Sequence, residues 1–228
     1  MFKKGMIVVF ALILSINFFA LYSLAHNRYE PERAAYAEPS EQMSIMPMWG
    51  GMEVWGRWSG APIIFFDAHS QISQRSIDDF AEGMRRWNNQ IGFSMLNLNG
   101  FRHSGLWENS MTRDHRNRVY RQAIGIHNAG GIARRHWSGN FVNGLHEIVE
   151  VDILLNVSHP FANNLPGSST YFDVFTTFMH ELGHVIGLGH APMRPNVMFE
   201  SLAPGEQRRT LQVHDREGVS ILNYNRQW

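Results

Sequence analysis

The stretch His180-Glu181-Leu182-Gly183-His184-Val185-Ile186-Gly187-Leu188-Gly189-His190 decides how this chain folds and what it can hold. Three histidines, a glutamate and a glycine stand in it at the spacing H-E-x-x-H-x-x-G-x-x-H. Residues four apart on a helix share one face, one turn apart. His180 and His184 therefore offer two imidazole nitrogens to one metal ion. Glu181 is the next residue round, placed to reach a water on that ion rather than the ion itself. Gly187 can take positive φ without steric cost, and glycine commonly ends helices. A sharp exit there brings His190 back to the same ion from a different direction. Three neutral imidazoles suit zinc, and three protein ligands leave a fourth position open for water. The expectation is one catalytic zinc ion on His180, His184 and His190, with Glu181 as general base. A zinc site without catalysis would more often offer a fourth protein ligand or lack the glutamate.

The flanking residues supply a helix for this motif. Asp173 is a start signal, and Phe175, Met179, Leu182 and Ile186 form one apolar stripe after it. The stripe lies away from His180 and His184, so one face packs while the other binds metal. Upstream, Pro62 to Phe66 is a short apolar run that reads as a buried strand. Ser76-Ile77-Asp78-Asp79 reads as a helix cap with an acidic first turn. Ile77, Phe80, Ala81, Met84, Trp87 and Ile91 then recur at helical spacing. Phe93 to Leu98 and Val119 to His127 are strand candidates. Val149, Val151, Ile153, Leu155 and Val157 alternate with Glu150, Asp152 and Asn156, a half-buried strand with one polar face. Thr210 to Asn223 reads as a closing helix.

The histidine motif resembles that of the metzincin zinc peptidases. Pro195-Asn196-Val197-Met198-Phe199 follows it, with Met198 eight residues after His190, a spacing similar to the matrixin branch. The astacin and serralysin branches place a tyrosine two residues after the methionine, where this chain has Glu200; matrixins usually have serine at the position of Ala191. The resemblance implies an α+β zincin domain: a twisted mixed sheet with an edge strand at the cleft, an active-site helix, a Met-turn and a C-terminal helix. It implies that Met198 forms the turn beneath the metal and that Asp215 braces that turn. It also implies that the strand at 149–157 is the edge to which a peptide substrate adds; an ordinary core strand is the alternative. His214 stands where matrixins carry the first of two adjacent aspartates, and so departs from their ammonium-binding pattern.

Composition bounds the rest. The chain has 228 residues, enough for one compact domain plus an N-terminal extension. Formal net charge is zero, so no broad basic surface points to nucleic acid. Lys3-Lys4 precede a mostly apolar run from Met6 to Leu24, and Ser23-Leu24-Ala25 resembles a signal-peptidase site. Residues 1–25 are expected to be a secretory signal; an uncleaved membrane anchor through residues 6–24 is the alternative. Residues 26–48 read as a linker and 49–228 as the catalytic domain. With no cysteine anywhere, the chain forms no disulfide and lacks the cysteine switch that matrixin propeptides use.

Two further clusters carry less. His127, His136 and His146, with Glu147 and Glu150, could suggest a second zinc, but the His-x-Asp start of the matrixin site is missing, and loop histidines are the simpler reading. Asn156-Val157-Ser158 fits a glycosylation acceptor but falls in a strand. The sequence thus reads as an exported, monomeric, matrixin-like zinc endopeptidase acting outside the cytoplasm on peptides or proteins. The alternative is an exported zinc-binding module that recognises peptide or cell-wall material without cutting it.

Overall fold

The computed structural model describes residues 51–125, 129–165 and 169–224. The signal and linker read from residues 1–48, and His127, lie outside the described residues. A five-stranded sheet forms the frame. Strands β1 (Ile64–His69), β2 (Leu96–His103), β3 (Asn117–Gln122) and β5 (Leu145–Asn156) run parallel, and β4 (Gly131–Val142) runs antiparallel to β5. The spatial order is β2-β1-β3-β5-β4. A two-stranded parallel pair, β6 (Phe161–Ala162) with β7 (Phe172–Asp173), stands apart from it. This is the α+β arrangement expected.

Helix α1 (Gln74–Ile91) connects β1 to β2, and helix α2 (Val174–Val185) carries the histidine motif. Both contribute to one apolar core with the inward residues Ile64, Phe66, Val119, Val151 and Ile153. The cap of α1 is Ser73, whose side chain accepts the Ser76 N–H, so the helix begins three residues before the expected Ser76. Its buried face includes Gly83 and leaves Ala81 exposed. The reason is steric: a Cβ at Gly83 would come within 3.0 Å of Leu182 Cδ1 on α2. The short helix α3 (Val213–Leu222) closes the chain, beginning later than the Thr210 expected.

Three strand expectations are corrected. The run at 62–66 is not buried throughout, since Ile63, just before β1, and Phe65 within it are 64% and 51% exposed. The strand expected at the cleft edge, 149–157, is interior: β5 pairs with β3 on one side and β4 on the other. The edge belongs to β4, whose mixed Arg, His, Trp and Ser sequence shows no clean alternation. Nor is the polar face of β5 solvated. Glu150 and Asp152 are each 1% exposed and accept backbone N–H groups of Asp114 and Arg118, just before and at the start of the neighbouring strand β3. A local interaction pattern cannot show such burial.

Candidate metal centre

Helix α2 starts on Asp173, whose carboxylate accepts the Thr176 N–H at 3.0 Å and is paired with Arg209. Its apolar side, Phe175, Met179 and Leu182, is buried as expected. Gly187 then takes φ +108°, and its N–H bonds to the His184 carbonyl at 3.0 Å. A side chain at 187 would overlap the Gly56 carbonyl, so glycine is required twice over. The chain turns out of the helix and His190 comes back to face His180 and His184.

The three rings converge. One nitrogen from each lies within 4.8 Å of the other two. The Nε2 atoms of His180 and His184 are 3.0 Å apart. The other nitrogens of these two rings are tied back: His180 Nδ1 is 2.9 Å from the Val197 carbonyl and His184 Nδ1 is 2.9 Å from the Leu188 carbonyl. A carbonyl can only accept, so each Nδ1 carries the proton and each Nε2 keeps its lone pair. Burial holds His180 down to about 4 and His184 and His190 below their ordinary range, so all three are neutral at neutral pH. A neutral, preoriented three-imidazole set is the donor chemistry that zinc fits.

Glu181 is 4% exposed and points beneath β4, where a Cβ at Gly131 would overlap its Oε1. Burial raises its pKa to about 8, while the Arg135 charge pulls the other way. It lines the same cleft of about 550 Å³ as the three histidines. Beneath the rings, Met198 is fully buried against Gly183 of α2. Asp215 accepts the Val197 and Met198 N–H groups, each at 3.0 Å, and so holds the turn that also receives His180 Nδ1. His214 is bonded to Asn196 through both its backbone and its ring.

All seven residues singled out from the sequence, His180, Glu181, His184, Gly187, His190, Met198 and Asp215, therefore meet in one place. Others were not foreseen. Gly131 and Arg135 come from β4, and Trp55 stacks on His184 with ring centroids 4.9 Å apart. Only the Gly130-Gly131 pair gave a signal in the sequence, as a close backbone approach.

His136 and His146 are strand residues in β4 and β5, not loop residues. His136, Glu150 and Asp152 form the other group among the described residues that brings three donor atoms within 4.8 Å. Asn156 is fully buried and bonded to Ile124 and Ala129, which leaves no room for a glycan.

The Matrixin family model matches residues 66–224. Metalloendoproteinase 1-MMP of Arabidopsis thaliana is 39% identical over 61 residues, 26% of this chain and 17% of that protein. Metalloendoproteinase 5-MMP of the same plant is 33% identical over 54 residues, 24% of this chain and 15% of that protein. The matched stretch thus spans less than a fifth of either relative's length. Among solved structures, the chain is similar to high choriolytic enzyme 1, a hatching enzyme zinc-protease from Oryzias latipes. That similarity has a TM-score of 0.40 at 12% identity and covers 76% of this chain and 95% of the other. It is also similar to metalloproteinase-II of Bacteroides fragilis, with a TM-score of 0.42 at 12% identity over 83% and 60% of the two chains.

Proposed function

Because the chain belongs to the matrixin family, we propose that it is an exported zinc-dependent endopeptidase. The observation that carries this reading is the convergence of three neutral imidazoles with a buried carboxylate in one open cleft. His180, His184 and His190 hold the metal through their inward nitrogens. Zinc bound there would supply Lewis acidity, polarising a scissile carbonyl and making a water easier to deprotonate. Glu181 takes the proton from the attacking water and hands it to the leaving nitrogen. Met198 and Asp215 hold the floor on which His180 rests. An extended peptide lies along β4, the sheet edge that bounds the cleft, and bonds to its backbone.

Residues 1–25 serve as the export signal, or as an anchor through 6–24 if uncleaved, and residues 26–48 link it to a catalytic domain at 49–228. The protein acts as a monomer outside the cytoplasm. Cleavage of an unbiased peptide library by the purified domain, with Glu181→Ala as control, tests this reading. Cleavage lost in the variant supports it. Metal uptake with no cleavage by either protein would instead favour a module that binds without cutting.

A further inference from the structure

Residues 52–57 form a strap across the outgoing turn of the metal motif. Val54 bridges Leu188 in antiparallel fashion. Trp55 N–H bonds to the Gly187 carbonyl at 2.9 Å, and Gly189 N–H to the Glu53 carbonyl at 2.8 Å. The strap fixes one aromatic side chain against the metal-binding rings. The Trp55 indole lies parallel to the His184 imidazole, at an interplanar angle of 8° with centroids 4.9 Å apart. The same indole meets His190 edge-on, at 80° and 5.0 Å. Its Nε1 donates to Glu53 Oε2 at 3.1 Å, and that oxygen also accepts the His190 N–H at 3.3 Å. A Cβ on Gly189 would come within 2.5 Å of the indole Nε1, so the ring sits directly on the turn between the two histidines. Above it, the Arg135 guanidinium lies 4.4 Å from the indole centroid.

We propose that Trp55 is a positioning residue of the metal centre, fixing the ring planes of His184 and His190. The inference rests on the zinc-binding part of the reading above. The Nδ1 bond to Leu188 restrains His184 about one axis only; a parallel aromatic wall stops the ring from tilting out of its plane. His190 has no ring hydrogen bond among those described, and the indole edge limits its swing. Arg135 presses on the indole through a cation–π contact and ties this arrangement to the cleft edge. Outer partners of metal-binding histidines typically alter metal affinity tenfold to a hundredfold when removed. Trp55 fills that role by stacking rather than by hydrogen bonding.

The test compares the wild-type chain with Trp55→Phe and Trp55→Leu. Three quantities are read: the rate of zinc loss to a chromogenic chelator, the visible spectrum of the cobalt-substituted protein, and the melting temperature without metal. Trp55→Leu should lose zinc about ten to a hundred times faster and shift the cobalt bands. Trp55→Phe, which keeps an aromatic wall, should stay within about threefold of wild type with an unshifted spectrum. A merely structural role would lower the melting temperature and leave zinc loss and cobalt bands alone. Zinc loss and cobalt bands unchanged in Trp55→Leu overturn the proposal, as does a Phe variant as leaky as Leu. If the leucine variant does not fold, Trp55→Met is read in its place. Wild-type protein that takes up no cobalt or zinc overturns both this inference and the proposed function. Protein that binds metal with these differences yet cuts no peptide supports the inference and overturns only the endopeptidase reading.

Discussion

Met198 packs so tightly beneath Gly183 that a Cβ at 183 would overlap its Sδ and come within 3.0 Å of the Trp87 ring. The glycine one residue before His184 is thus a contact surface for the Met-turn. Trp87 is itself held, its indole N–H donating to the Met179 carbonyl at 2.9 Å. Gly183→Ala should therefore cost about 1–3 kcal/mol despite alanine's better helix propensity. Urea unfolding of wild type and variant measures it; a variant as stable as wild type would mean the turn has room to move.

Binding and chemistry should separate. Replacing His180, His184 or His190 by alanine is expected to reduce zinc content and activity together, since three ligands are the least this site can use. Glu181→Ala should keep zinc and fold while losing several orders of magnitude in turnover. Metal analysis beside a peptide-cleavage assay checks both. Near-normal turnover in Glu181→Ala would remove the assigned general base.

Acidification should release the metal and loosen the site. His180, His184 and His190 are held below their ordinary range by burial. From pH 6.5 down to about 4, the unfolded chain takes up protons that the folded His180 refuses. Folded stability therefore rises with pH through this window and is lost as pH falls. Melting temperature should fall progressively below pH 6.5, with zinc loss following as pH approaches about 4. Activity that climbs steadily into acid would contradict the neutral-imidazole site.

Latency should not depend on thiols. With no cysteine in the chain, protein lacking residues 1–25 is expected to be active without mercurial or alkylating treatment. An assay on freshly purified protein decides this. Silence until residues 26–48 are trimmed would identify that stretch as a propeptide.

Asp152 has the opposite pH sign to the histidines. Burial, with Glu150 beside it, pushes its carboxyl up to about 7. Between pH 4 and 7 the folded protein keeps a proton that the unfolded chain has released, so this group's contribution to stability falls as pH rises. Asp152→Asn retains an oxygen for the Arg118 N–H and carries no charge. It should stabilise the domain by about 1–3 kcal/mol at pH 8 and by much less at pH 5. Denaturant unfolding at both values tests it; a less stable variant at pH 8 would mean that the Asp152 charge is compensated in the native protein.

The candidate metal ligands were legible because their geometry is local. His180 and His184 are one helical turn apart, and Gly187 supplies the positive φ that returns His190, all within eleven residues. The apolar stripe of α2 and most of the buried face of α1 were legible for the same reason, since a helix repeats every 3.6 residues whatever surrounds it. Asp215 and Met198 were placed by family resemblance, not by local pattern; in the structure Asp215 accepts the Val197 and Met198 N–H groups. What tertiary structure alone decided depends on which strand lies beside which. Which of β5 and β4 is interior and which is the edge is set by their partners; the alternation in β5 did not mark it as interior. Glu150 and Asp152 look like a solvent face, yet both are buried and bonded to backbone N–H groups of Asp114 and Arg118. Trp55 lies 129 positions before His184 in the chain (184 − 55), and nothing in its neighbourhood marks it as a metal-site residue. Helical periodicity is carried by the chain's own backbone, whereas strand order, burial of a polar face and a ring stacked from a distant strap exist only once the whole core has packed.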